Sequence, residues 1–224
     1  MLIMKHLTHI ILCLIAVNTF AQQKPDFRND YYDNKRAQQE SIPKVSGAII
    51  MLGNSLTERG LWWEYFPEKK ILNRGIGGDI LCGMIDRLPN ILQNKPSKMF
   101  ITAGINDILF HNITKEEFEI RYDTIINSIV REQPCCRIYL ESLLPVNDTI
   151  NTSSSFLKDK NGIIKEFNEL IKDIAKKHRL KYIDIHSSLL DDGYLNAGYT
   201  ADGIHLNEKG YLIWATLLKP YINE

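Results

Sequence analysis

The chain has 224 residues, of which 27 are basic and 27 acidic, and 44% of its side chains are hydrophobic. Balanced charge leaves no electrostatic footprint for nucleic acid or an acidic membrane, and that hydrophobic fraction excludes a disordered chain. With 13 Gly and 4 Cys, collagen-like and disulfide-framework architectures are also excluded, so a globular protein of one domain is the expectation.

Residues 1–21 read as a secretory signal peptide. Lys5 gives a positive start, Leu7 to Val17 is a mostly apolar core, and Thr19-Phe20-Ala21 sets small residues at a cleavage point. That core is too short for a spanning helix, and no other stretch approaches the ~18 apolar residues such a helix needs. A secreted or periplasmic protein without stable membrane insertion is expected. Cleavage leaves Cys82, Cys135 and Cys136, an odd set with two neighbours, which does not make a disulfide scaffold. Residues 22–46 are polar and irregular, a lead-in with room for one short helix, and the domain proper runs from 47 to 224.

From there, strand-length apolar runs alternate with longer segments of helical period. The runs are 48–52, 71–73, 99–102, 138–140 and 182–185, and being continuous they suit strands buried on both faces. Helical stripes run from Ile80 to Leu92 and from Phe118 to Ile129, the latter opened by the capping box Thr114-Lys115-Glu116-Glu117. Two more run from Ile163 to Ile174 and from Asn207 to Leu218. Strands alternating with helices predict an α/β fold with a parallel sheet and helices on both faces.

Ligands of such sheets bind beyond the carboxyl ends of the strands. The first strand is followed by Gly53-Asn54-Ser55-Leu56, the second by Arg74-Gly75-Ile76-Gly77-Gly78-Asp79, and the third by Gly104-Ile105-Asn106-Asp107. Asp202-Gly203-Ile204-His205 precedes the last helix. A hydroxyl, glycine backbone, a carboxamide and a carboxylate–imidazole pair are the parts of acyl transfer: nucleophile, oxyanion donors and an oriented base. Singly, each has a plainer reading. A Ser after a strand is most often a helix cap, glycines serve turns, and Asn106 or Asp202 could bond its own backbone. Their combination, in order and each at a strand end or before the last helix, is hard to assign to packing.

These four blocks resemble the SGNH, or GDSL, hydrolase superfamily over nearly all of residues 47–218. The resemblance is to the branch of platelet-activating-factor acetylhydrolase catalytic subunits and bacterial carbohydrate (sialate-type) O-acetylesterases. It implies a flavodoxin-like three-layer α/β/α sandwich on a five-stranded parallel sheet. It implies Ser55 as nucleophile, His205 as general base held by Asp202, and an oxyanion hole from the backbone N–H groups of Ser55 and Gly78 with the Asn106 side chain. No cofactor or metal is implied, and the expected partner is a small acylated substrate, O-acetylated carbohydrate foremost. A lipid acylhydrolase, an O-acyltransferase and a catalytically dead binding protein are the alternatives. Asn54 departs from the family's usual Asp, which loses a charge beside the nucleophile. Thr57 stands where a Gly-x-Ser-x-Gly elbow would need Gly, so an α/β-hydrolase elbow is disfavoured.

His186, at the end of the last strand, is the competing base, though a backbone-bonded, partly buried role is preferred for it. His111 is expected at the site's rim, and His178 at a helix C-terminus, where a cation suits the dipole. Trp62 and Trp63 are expected to pack, with one of them available as a pocket wall.

Overall fold

The computed structural model describes residues 27–150 and 155–224. The signal-peptide reading of residues 1–21 lies outside the described residues.

The chain begins with helix α1 (Asp30–Ser41), capped by the Asn29 side chain on the N–H of Tyr32. Strand β1 (Ile49–Gly53) runs into two short helices, α2 (Ser55–Glu58) and α3 (Trp62–Tyr65), and the chain returns as β2 (Ile71–Gly75). Then come α4 (Leu81–Leu92), β3 (Lys98–Thr102), α5 (Ile105–Phe110), α6 (Lys115–Glu132) and β4 (Arg137–Glu141). After α7 (Lys160–Lys177) and β5 (Lys181–Ile183) the chain makes α8 (His186–Leu189) and a small hairpin of β6 (Leu190–Asp191) and β7 (Tyr194–Leu195). Helix α9 (Glu208–Asn223) ends it.

Five strands form one sheet in the order β2-β1-β3-β4-β5, with every pair parallel. The chain leaves β1 toward β2 on one side and reaches β3 on the other, so β1 and β3 flank the point where strand order reverses. Crevices open there, beyond the carboxyl ends of the strands. β1 and β3 are buried at every position, as their unbroken apolar runs require. Edge strand β2 is half-polar because Asn73 is occupied sideways, its Nδ2 donating to the carbonyls of Thr57, Glu58 and Gly60.

The helices follow their stripes. Phe118, Tyr122, Ile125, Ile126 and Ile129 of α6 are all buried, and the Thr114–Glu117 capping box forms with both of its bonds. In α7, Ile164, Phe167, Ile171 and Ile174 turn inward while Ile163 is left exposed. Trp62 is fully buried, edge-on to Trp214 of α9 at 4.9 Å, whereas Trp63 stands in solvent. At the carboxyl end of β4 the fully buried Glu141 accepts from Thr102 Oγ1 and Trp214 Nε1, tying β4 to β3 and α9. Burial pushes its carboxyl up to about 7, against the pull of those two donors.

The polar lead-in is more regular than its composition suggests. Its helix of 12 residues has a single buried side chain, Tyr32, and is held by polar links, so no apolar stripe marked it. The last strand is shorter than its apolar run, and His186 opens α8 instead of ending a strand.

Candidate active site

Ser55 is the first residue of α2, at the carboxyl end of β1. Asn54 caps that helix by accepting from the N–H of Leu56 at 3.0 Å, which settles the turn that presents the hydroxyl. The family-type Asp is thus replaced without losing the cap, although the buried Nδ2 of Asn54 has no partner among the described residues.

Ser55 Oγ lies 3.0 Å from His205 Nε2, and His205 Nδ1 lies 2.7 Å from Asp202 Oδ2. The three-residue spacing succeeds because Asp202 builds a tight turn. Its Oδ1 accepts the N–H of His205 at 2.7 Å and of Ile204 at 3.0 Å, which brings the ring back over the carboxylate. Burial opposes ionisation of Asp202, but the bonds from the His205 ring and from these two N–H groups outweigh it and hold the carboxyl below its usual range. With Nδ1–H directed at a carboxylate, Nε2 is left as the acceptor facing the serine, the tautomer that takes a hydroxyl proton.

Two more strand ends supply donors. Gly78 has φ +75°, in the left-handed region, and a Cβ there would meet nothing within 4 Å, so conformation rather than space calls for glycine. Asn106, on α5, is turned toward the loop by Gly104, which has φ +110° and lies so close to Phe118 that a Cβ would approach its ring to 2.3 Å. One Nδ2 proton of Asn106 goes to the carbonyl of Asp79 at 2.9 Å, which leaves the other for a ligand. The N–H of Ser55, in the first turn of α2, has no partner within its helix. Ser55, Gly78, Asn106 and His205 line one cavity of about 650 Å³ together with Tyr31, Glu58, Arg59, Phe110, Phe156 and Ile204.

The loop carrying Gly78 is fastened from behind by a buried ion pair. Arg87 Nε meets Asp79 Oδ2 at 2.8 Å, with both side chains no more than 2% exposed. The other guanidinium nitrogens donate to the carbonyls of Arg74 at 2.7 Å and Gly53 at 3.0 Å, so one side chain ties the ends of β1 and β2 to the loop. Burial pushes Asp79 up to about 6, with Arg87 pulling the other way. Asp107, next to Asn106, is pushed up to about 6 by burial as well, against the N–H of Leu81 and the Arg121 guanidinium.

The remaining histidines lie elsewhere. His186 donates from Nδ1 to the carbonyl of Leu143 at 3.1 Å, burial lowers its pKa, and it lines a different cavity between α7 and α8. His111, expected at the rim, instead lines a neighbouring hollow with Cys82, Glu117 and Arg121. His178 sits at the end of α7 and pairs with Asp123 at 2.6 Å. Trp63 does not line the cavity either. The sequence reading missed Tyr31, Glu58, Arg59 and Phe156, whose only local signal is the placing of Glu58 three residues after Ser55, on the same face of α2. Among the described residues no group of three or more His, Cys, Asp or Glu is placed to hold a metal ion.

The sequence model of the GDSL-like Lipase/Acylhydrolase family matches residues 51–213. The rat platelet-activating factor acetylhydrolase IB subunit alpha2 is 29% identical over 180 residues, 77% of this chain and 73% of that protein. An N-acylneuraminate cytidylyltransferase of Escherichia coli is 28% identical over 201 residues, 86% of this chain but only 44% of that longer protein. Among solved structures, a Streptococcus pneumoniae protein described as a platelet activating factor superposes with a TM-score of 0.78 at 26% identity, covering 86% of this chain and 92% of that one.

Proposed function

The chain belongs to the GDSL-like lipase/acylhydrolase family and is by that membership a carboxylic ester hydrolase, and we propose that it cleaves acetyl and other short acyl esters on carbohydrate, outside the cytoplasm. The observation that carries the chemistry is the unbroken run from Ser55 Oγ through His205 to Asp202, at 3.0 and 2.7 Å, opening onto the cavity.

A serine hydroxyl is too weakly acidic to attack an ester unaided. In the proposed reaction His205 Nε2 takes the Ser55 proton as Oγ bonds to the ester carbonyl carbon. The imidazolium is stabilised by Asp202, which stays ionised because its carboxyl is held low. The oxyanion rests on the N–H groups of Ser55 and Gly78 and on Asn106 Nδ2, donors that need no rearrangement when the charge develops. Collapse breaks the carbon–oxygen bond to the alcohol, which leaves with the proton from His205. Water then repeats the sequence on the acyl-enzyme, releasing the acid and restoring Ser55.

The substrate reading is supported by the cavity and by the relatives. Tyr31, Phe110 and Phe156 stand around the nucleophile with their rings partly in solvent, faces on which a sugar ring can lie. Each methylene of a longer acyl chain is worth only ~0.8 kcal/mol, and only where it is buried, and among the described residues the apolar lining is confined to these rings and Ile204. One relative is named for acetylhydrolase activity and another for a sugar acid. The signal-like start of the chain supports export. The test is acetate release from a panel of acetylated glycans beside nitrophenyl esters from two to twelve carbons. Acetate freed from a glycan, with rates falling as the acyl chain lengthens, is expected. A preference for eight carbons or more, with no glycan deacetylated, would replace this reading with a lipid acylhydrolase.

A further inference from the structure

Helix α1 lies outside the residues that the family model matches, yet its contacts meet at the site. Tyr31 OH donates to Glu58 Oε1 at 2.8 Å, and Lys35 Nζ pairs with the same oxygen at 2.7 Å. The second oxygen of Glu58 accepts the N–H of Gly77 at 2.7 Å. Gly77 itself leaves room for this contact, since a Cβ there would sit 3.1 Å from Glu58 Oε2 and 3.2 Å from the Tyr31 ring. One turn on, Gln39 Nε2 donates to the carbonyl of Gly75 at 3.0 Å. Tyr32, the one buried side chain of α1, donates to the carbonyl of Gly83 at 2.8 Å, and Arg36 pairs with Asp86. These links fall on the segment from Gly75 to Asp86, which contains Gly78, or on Glu58, which holds that segment.

We infer that α1 is a positioning element for the oxyanion loop, acting through Tyr31, Lys35 and Glu58 on Gly77 and through Gln39 on Gly75. The inference rests on reading the cavity as an ester-hydrolase site. The physical reason is local. Between Ile76 and Asp79, joined by one backbone bond of 3.1 Å, the glycines at 77 and 78 leave the turn wide conformational freedom, and Gly78 must keep one left-handed conformation for its N–H to face the cavity. Arg87 and Asp79 fix the far end of the loop, but the N–H of Gly77, adjacent to the donor, is fixed among the described residues by Glu58 alone. Glu58 is in turn held by two donors from α1. An oxyanion donor displaced by a fraction of an ångström loses most of its effect on the transition state while leaving substrate binding nearly intact.

The test uses the full chain with Tyr31→Phe/Lys35→Met, Glu58→Ala, and all three changes together. Tyr31→Phe keeps the ring and its cavity wall, so the first pair removes only the two donors to Glu58. Two readouts are taken: amide hydrogen exchange of the peptide spanning residues 75–80, and kcat and KM on nitrophenyl acetate. Exchange in that peptide should speed up about tenfold in each variant while β3 and α6 keep their protection. The kcat should fall roughly 10- to 100-fold with KM changed by no more than about twofold. The triple variant should be no worse than Glu58→Ala, because α1 acts through that carboxylate. Unchanged exchange would overturn the inference, as would a loss confined to KM or additive losses in the triple variant. Exchange decides the matter even if no ester is turned over, a result that would count against the hydrolase reading instead.

Discussion

His205 and His186 differ in what their ring nitrogens meet. His205 gives Nδ1–H to a carboxylate and presents Nε2 to Ser55, whereas His186 gives Nδ1–H to the carbonyl of Leu143 and faces another cavity. Only the first arrangement both fixes the tautomer and stabilises the cation formed when a proton is taken. His205→Ala should therefore lower kcat by about 10⁴-fold or more, and His186→Ala by less than about threefold. Steady-state kinetics of the two variants check this, and a silent His186→Ala beside an active His205→Ala would reverse the roles.

At the scale of elements, the strand ends are brought into one constellation by polar fastenings as much as by the apolar core. Arg87, on α4, is the clearest case, since its guanidinium serves Asp79 and the carbonyls closing β1 and β2 while almost completely buried. Truncating it takes the cation from a buried carboxylate that then keeps only the N–H of Ile80, and takes a donor from the buried carbonyls of Arg74 and Gly53. Arg87→Ala should therefore cost about 3–5 kcal/mol of stability in urea unfolding at neutral pH. A loss under about 1 kcal/mol would mean that the loop holds its conformation without the pair. The β1 and β3 strands and α6 were legible because each announces itself within a few residues, by an unbroken apolar run or by a capped stripe of period 3.6. α1 was only dimly legible, because it is held by side chains whose partners lie far along the chain: Tyr31 and Glu58 are 27 residues apart, Gln39 and Gly75 are 36. No periodicity records such bonds. α5 and α8 were missed for a related reason, being six and four residues long, too short to show a stripe.

Over the whole molecule, the sheet order places the ends of β1, β2 and β3 side by side, and the segment before α9 closes over them from the other end of the chain. Ser55 and His205 are 150 residues apart and meet at 3.0 Å. That meeting was legible from sequence because a parallel α/β sheet gathers its loops at one edge and acyl transfer demands a small set of residue types there. The cavity walls were not, since an aromatic ring such as Phe156 or Tyr31 carries no chemistry that a motif would mark. The central claim is that this convergence makes Ser55 the nucleophile of an ester hydrolase. It is tested most directly by treating the full chain with a fluorophosphonate and mapping the adduct by peptide mass spectrometry while hydrolysis is followed. A single adduct on Ser55, growing in step with the loss of activity, is predicted. An adduct on another residue accompanying that loss, or hydrolysis that persists when Ser55 is fully modified, would contradict it.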